Sequence, residues 1–135
     1  MNKINALLFS VIFVTGQSAT AAPIYLDCTI KHAGGAIEFA VKTDEDTGKI
    51  TQTSKLGSAF NAEGFYSSNQ ITYQTSDVVG GLKTTYIYTI DRSNLALTRL
   101  FRAEPTNPAY AAQIPPKTST EHGACDIAKQ AKRKI

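Results

Sequence analysis

The chain has no tryptophan and only two histidines and two cysteines among its 135 residues. His32 and His122 together fall short of the three protein ligands of a catalytic zinc site or the four of a structural one. No G-x-S-x-G sequence is present, so the chain lacks the nucleophile elbow of many serine hydrolases. The sequence therefore predicts no metal, no cofactor and no enzyme.

Long apolar runs are also scarce, and the one that stands out lies at the start of the chain. Residues 4–14 are mostly apolar, follow Asn2 and Lys3, and lead into the small residues Ala19-Thr20-Ala21. A charged start, a short apolar run and an A-x-A end are typical of a secretory signal peptide, whereas a membrane-spanning helix needs about 20 apolar residues. We therefore expect residues 1–21 to be a cleaved signal and residues 22–135 to form one domain. The predicted location is the bacterial periplasm or the medium, with no membrane span.

The two cysteines, Cys28 and Cys125, lie near the two ends of the expected mature chain. In an oxidising compartment such a pair is expected to form a disulfide. Closing a loop of about 100 residues removes on the order of 4 to 5 kcal/mol of denatured-state entropy in the chain-entropy model. The competing interpretation is a reactive thiol assisted by the nearby His122.

The net charge of +3 is concentrated at the C-terminus. Residues 126–135 form a basic tail, for which we expect a frayed end or a short helix capped by Asp126. The rest of the expected mature chain is slightly acidic, which argues against a nucleic-acid binder. Weak contact with the envelope surface is the interaction that this tail could make, through Lys129, Lys132, Arg133 and Lys134.

Alternating apolar and polar residues, rich in β-branched and aromatic types, dominate the chain from Ile24 to Arg102. This period of two predicts an all-β domain. Seven strands are expected, with the third, which is polar apart from Ile50, interpreted as an edge or a solvated ribbon. Their expected bounds are residues 24–30, 36–43, 49–55, 70–75, 82–91, 95–102 and 118–125.

Four prolines occur within residues 103–117, and we expect this stretch to be a long surface loop. Short strands in hairpin order predict a small antiparallel meander that forms an open barrel or a sandwich. A disulfide between the ends would hold the first strand beside the last and would favour a closed or nearly closed barrel.

Arg99 is the most distinctive candidate for binding, because strict alternation places it on the apolar face of its strand. A charge there must be paired or lie at a rim. At a barrel mouth, near Tyr86 or Tyr88, it could reach an anionic ligand or a partner. The favoured interpretation is a bulge in the strand, or an arginine whose stem covers the core while its head reaches water. His32 and His122 complete the candidate binding set, since a disulfide could bring them to one rim.

The overall plan is similar to that of small periplasmic β-barrel inhibitors and ligand carriers, which combine a signal peptide, an antiparallel body and an end-to-end disulfide. The S-G-x-x-Y signature of membrane-bound lysozyme inhibitors is absent, since Ser67-Ser68-Asn69 lacks the glycine, and a lipocalin G-x-W is impossible without tryptophan. The sequence therefore assigns no family. It favours a non-enzymatic binding or inhibitory module whose partner is a periplasmic or cell-wall protein or an envelope glycan. A carrier of small apolar ligands is the alternative, and an unrecognised hydrolase ranks below both.

Overall fold

A computed structural model describes residues 21–129. The expected signal peptide and the end of the basic tail fall mostly outside this range. The described chain folds into one antiparallel sheet of nine strands and a 3₁₀ turn at Pro108–Tyr110. The strands are β1 (Ile24–His32), β2 (Gly35–Asp44), β3 (Lys49–Ser54), β4 (Ala59–Glu63), β5 (Phe65–Tyr66), β6 (Gln70–Val79), β7 (Leu82–Asp91), β8 (Ala96–Pro105) and β9 (Lys117–Ile127).

The sheet curls into a nearly closed barrel. Its spatial order is β4-β3-β2-β1-β9-β8-β7-β6-β5, so the two edge strands are consecutive in sequence and are separated only by Gly64. The Gly64 N–H donates to the Gly48 carbonyl at 2.6 Å. A Cβ at Gly64 would lie 2.7–2.9 Å from side-chain atoms of Tyr66 and Ile50, closer than packed atoms tolerate. At this glycine the chain therefore stops pairing with β3 and begins pairing with β6.

The predicted disulfide is confirmed and fastens the middle of the sheet. Cys28 on β1 lies directly opposite Cys125 on β9, with the two sulfur atoms 2.06 Å apart. Gly123, two residues before Cys125, lies opposite Ile30, and a Cβ on it would collide with the Thr29 carbonyl oxygen. The close approach of β1 and β9 thus depends on a glycine as well as on the disulfide.

Side chains fill the middle of the barrel. The rings of Tyr73 and Tyr88 stack with centroids 4.7 Å apart and planes inclined by 5°, and Phe39 packs edge-on against Tyr88 at 5.8 Å. Every strand except β4 and β5 contributes at least one buried apolar side chain to this core, and on these strands buried residues alternate with more exposed ones. The rest of the buried core is Leu26, Cys28, Ile30, Val41, Ile50, Ile71, Ile90, Leu97 and Cys125.

The expected all-β class is confirmed, but the count of seven strands is wrong. The two extra strands, β4 and β5, lie within residues 59–66, where only short segments pair and the apolar alternation is too brief to stand out. The expectation that the third strand is an edge is also wrong, because β3 pairs with both β2 and β4. Its polar Gln52 faces inward and bonds to buried tyrosine hydroxyls.

Two expectations near the C-terminus need correction. The proline-rich loop is shorter than residues 103–117, because β8 continues to Pro105 and β9 begins at Lys117. A helix capped by Asp126 is not formed, because Asp126 and Ile127 remain in β9, paired with β1. Residues 130–135 of the expected tail lie outside the described residues. Between residues 21 and 129, no helix is long and apolar enough to cross a membrane.

Candidate functional site

Strands β6 to β9 extend beyond the closed part of the barrel. The pairing of β1 with β9 ends at Ile30 and Gly123, whereas β9 continues to pair with β8 as far as Lys117. Towards Lys117 from Gly123, β9 therefore has no paired neighbour on the side of β1, and the inward-facing side chains of Tyr86 and Phe101 are partly exposed. We call the inward-facing side chains at this end of the barrel, namely Tyr86, Arg99, Phe101 and Glu121, the platform.

An ion pair lies at the centre of the platform. Arg99 on β8 lies directly opposite Glu121 on β9, and its Nε and Nη2 donate to Glu121 Oε1 at 3.0 and 2.6 Å. The two side chains are only 12% and 25% exposed. Burial works to lower the pKa of Arg99, but hydrogen bonds with Glu121 and Tyr88 outweigh it and raise this pKa. The charge on the apolar face is therefore paired, as a half-buried ion must be.

Aromatic rings surround this ion pair. The Arg99 guanidinium carbon lies 4.9 Å from the centroid of the Tyr86 ring, within the range of a cation–π contact. Phe101 packs against the same ring at 5.2 Å. Tyr86 and Phe101 are partly exposed, so their rings combine fixed positions with access from solvent.

A separate cleft of about 310 Å³ lies nearer the tip of the extension. Leu82 and Ala103, on the same face as Tyr86 and Phe101, form its floor, and Ile114 and Pro115 of the β8–β9 loop form a wall. The loop is fixed to the β6–β7 turn, because the Thr106 N–H and hydroxyl both donate to the Gly81 carbonyl. Apolar walls beside a charged pair are the usual composition of a recognition surface.

The structure brings together some of the sequence-predicted binding residues and separates others. Arg99 and Tyr86 are in contact, and Tyr88 lies deeper, buried beneath them in the core. His32 shares the inward face of β1 with Cys28, and its Nδ1 accepts from the Gly34 N–H at 3.1 Å. His122 is one residue from the inward-facing Glu121, so it points to the outer face, where it is exposed. His32 and His122 therefore lie near the same end of the β1–β9 pair but on opposite faces of the sheet, and their role in binding stays a prediction.

Sequence reasoning missed two residues of the platform, Glu121 and Phe101, as binding candidates. Glu121 lies four residues before Cys125, so alternation from the disulfide cysteine places it on the inward face, and this signal could have paired it with Arg99. Among residues 21–129, no group of three histidine, cysteine or acidic side chains is arranged to hold a metal ion.

A second, smaller cleft of about 170 Å³ lies at the opposite end of the barrel. Ile71, Ile90 and Leu95 are among its apolar lining, and Arg92 and Glu45 stand at its rim, joined by a 2.9 Å ion pair. Leu95 adopts a positive φ of 60°, which costs a branched side chain on the order of 1 kcal/mol. This conformation lets Leu95 pack against the core at the same time as it lines the cleft.

Comparisons with protein-family models, with curated proteins and with solved structures each find no significant match to this chain.

Proposed function

We propose that this protein is an exported, non-enzymatic binding or inhibitory module that uses the platform to hold a partner in the bacterial envelope. The observation that carries the proposal is the contact of Arg99 with Glu121 and with the ring of Tyr86 on a partly open sheet face. Tyrosine and arginine are, with tryptophan, the residue types most enriched among side chains that dominate binding energy. A periplasmic or cell-wall protein is the preferred partner, and an envelope glycan would use the same aromatic surface.

Rigidity supports the proposal. The disulfide and the glycine-mediated closure hold the strands that carry the platform, so little conformational entropy is lost when a partner binds. The export of the chain and its periplasmic location are part of the same proposal, and the disulfide supports them, since such bonds persist in oxidising compartments.

The test compares variants of the mature chain (residues 22–135) as bait for a periplasmic extract, followed by calorimetric titration with the isolated partner. Tyr86→Ala should weaken binding by at least tenfold, equivalent to about 1.4 kcal/mol. The matched control is Tyr25→Ala, because Tyr25 lies on the outer face with Lys42 Nζ 5.9 Å from its ring centroid. The control should bind like the wild type.

A second variant separates recognition from folding. The exchange Arg99→Glu with Glu121→Arg preserves an ion pair but reverses its direction, so it should fold and lose the partner. Binding that is unchanged in both Tyr86→Ala and the exchanged pair would overturn the proposal. Near-UV circular dichroism confirms that each variant is folded.

The small cleft at the opposite end favours a second candidate function, the carriage of a short apolar ligand. Its apolar walls and the rim arginine, Arg92, suit an alkyl chain with an anionic head. The larger cavity that a barrel carrier would use is occupied by the stacked Tyr73 and Tyr88. Native mass spectrometry of the purified protein tests this function: a co-purifying amphiphile that Leu95→Trp excludes would support it, and a ligand-free spectrum would reject it.

A further inference from the structure

Strand β6 is paired on both sides only at its beginning. β5 pairs with Ile71 and Thr72 and then ends, whereas β7 pairs with β6 along its whole length to Val79. Beyond Thr72, β4 lies nearest to β6, but no backbone ladder joins these two strands in the described chain. The second half of β6 therefore has one unpaired edge.

The direction of the backbone groups on this edge follows from two hydrogen bonds. The Asn69 carbonyl accepts from Arg92, at the end of β7, and the next carbonyl, of Gln70, accepts from Ser67, on the side of β5. Successive residues of a strand direct their N–H and C=O groups to opposite edges. Those of Gln74, Ser76 and Val78 therefore point away from β7, towards the unpaired edge.

One of these backbone groups already has a hydrogen-bond partner, and Gln74 and Ser76, which carry most of the others, are exposed. The Val78 N–H donates to the side chain of Asp77 at 2.9 Å. Gln74 and Ser76 are exposed, and the described chain shows no hydrogen-bond partner for their backbone groups. The side chains of Val78 and Val79 are 56% and 70% exposed at the end of the same strand. An exposed edge with large apolar residues is a template for pairing with another strand.

We infer that this edge of β6 pairs antiparallel with β6 of a second copy of the chain, around a two-fold axis at Ser76. This register places Ser76 opposite Ser76 of the partner subunit, and Thr75 opposite Asp77 of the partner subunit, where a hydroxyl can donate to a carboxylate. It also places Gln74 opposite Val78 of the partner subunit, which covers an exposed apolar side chain. The strand is thus complementary to itself, as a two-fold interface requires.

Charge repulsion and steric overlap disfavour the two neighbouring registers, in which the two-fold axis lies at Asp77 or at Thr75. Moving the axis to Asp77 would place two carboxylates directly opposite each other, which is unfavourable. Moving it to Thr75 would bring Val78 of the partner subunit to Thr72, where β5 already pairs. Because a two-fold axis between antiparallel strands is perpendicular to the sheet, the platforms of the two subunits would lie on one side of a continuous sheet.

Proline substitution tests the pairing with little damage to the fold. The Ser76 N–H points away from β7, so Ser76→Pro removes a donor of the edge and leaves the β6–β7 ladder intact. The control is Ser76→Ala, which loses the same side-chain contact with Thr85, 3.1 Å away, but keeps the N–H. Light scattering during size-exclusion chromatography, over about two decades of concentration, gives the mass of each form.

We expect the wild type and Ser76→Ala to reach twice the monomer mass as concentration rises, and Ser76→Pro to stay monomeric with a near-native melting temperature. If Ser76→Pro does not fold, Gln74→Pro replaces it, since that N–H also faces the open edge. A wild type that stays monomeric throughout, or a folded proline variant that dimerises like the wild type, overturns the inference. Tyr86→Ala should still dimerise, so this result and that of the platform are independent.

Discussion

The hydroxyl of Tyr73 donates a 2.7 Å hydrogen bond to Oε1 of Gln52 and thereby joins β6 to β3. This bond crosses the gap in the barrel, where β4 and β6 lie side by side without a backbone ladder. The amide nitrogen of Gln52 donates in turn to the hydroxyl of Tyr88 at 3.4 Å. Phe60 of β4 packs on the Tyr73 ring at 6.5 Å. Side chains thus complete the closure that the backbone leaves unfinished.

Loss of the Gln52 amide should destabilise the barrel. Gln52→Leu leaves the hydroxyl of the buried Tyr73 without its acceptor, which should cost about 1–3 kcal/mol in the free energy of unfolding, measured by urea denaturation. The control is Thr51→Val, which removes an equally short but exposed bond to Asn61 and should cost less. Adding Tyr73→Phe to Gln52→Leu should recover part of the loss, and a fully additive double variant would contradict the proposed bond.

Stability should fall at alkaline pH because of the same tyrosine. Burial, followed by the effect of Tyr88, raises the pKa of Tyr73 above its ordinary value of 10.0. Above pH 10.0, Tyr73 loses its proton in the unfolded chain but keeps it in the folded chain. The contribution of Tyr73 to the free energy of unfolding is therefore full below pH 10.0 and declines as the pH rises further. In urea titrations at a series of pH values, Tyr73→Phe should show a shallower alkaline decline than the wild type. If the two proteins lose stability equally at alkaline pH, groups other than Tyr73 cause the decline.

Even the smallest substitution at Gly123 should destabilise the fold. Gly123→Ala would force its methyl group against the Thr29 carbonyl and within 3.1 Å of Ile30 Cα, both parts of the rigid backbone of β1. Overpacking of this kind costs about 1–3 kcal/mol. Gly34→Ala is the control, since its nearest neighbours are His32 ring atoms at an ordinary 3.4 Å. Thermal melts that lose no more stability in Gly123→Ala than in the control would show that β1 and β9 can separate to accommodate the methyl group.

The disulfide should account for a large share of the stability. Replacing both Cys28 and Cys125 with serine releases a link between residues 97 positions apart. In the chain-entropy model this should cost about 4 to 5 kcal/mol. Urea unfolding of the double variant measures the loss, and the reduced wild-type protein should lose a similar amount. A double variant as stable as the oxidised wild type would mean that the link adds little to the packing around it.

Asp27 and Asp126 face each other on the outer surface of β1 and β9, where both are exposed. Like charges directly opposite in a sheet are destabilising, so Asp126→Asn should stabilise the fold by about 0.2–1 kcal/mol. The gain should shrink in high salt, because exposed charges are screened. Asp46→Asn in the β2–β3 turn is the control and should change the melting temperature little. A gain that is equal at low and high salt would point to a cause other than repulsion.

The alternation of apolar and polar residues along individual strands predicted most of the fold. It gave β7 its bounds at Leu82 and Asp91 and placed Arg99 on the inward face with Leu97. It failed at Ala59–Glu63 and Phe65–Tyr66, where the strands are too short to show a period. It also failed for Gln52, because a polar residue on an inward face is acceptable only when the tyrosines of β6 and β7 arrive beside it.

The sequence by itself determined the all-β class, the cysteine pairing and the inward position of Arg99, because these depend on the period of a strand and on there being only two cysteines. The tertiary structure alone decided that Glu121 pairs with Arg99, that the two histidines lie on opposite faces of the sheet and that β6 keeps an unpaired edge. These features depend on register and on where strands diverge. A shift of one residue in strand register would turn each side chain of that strand to the opposite face of the sheet.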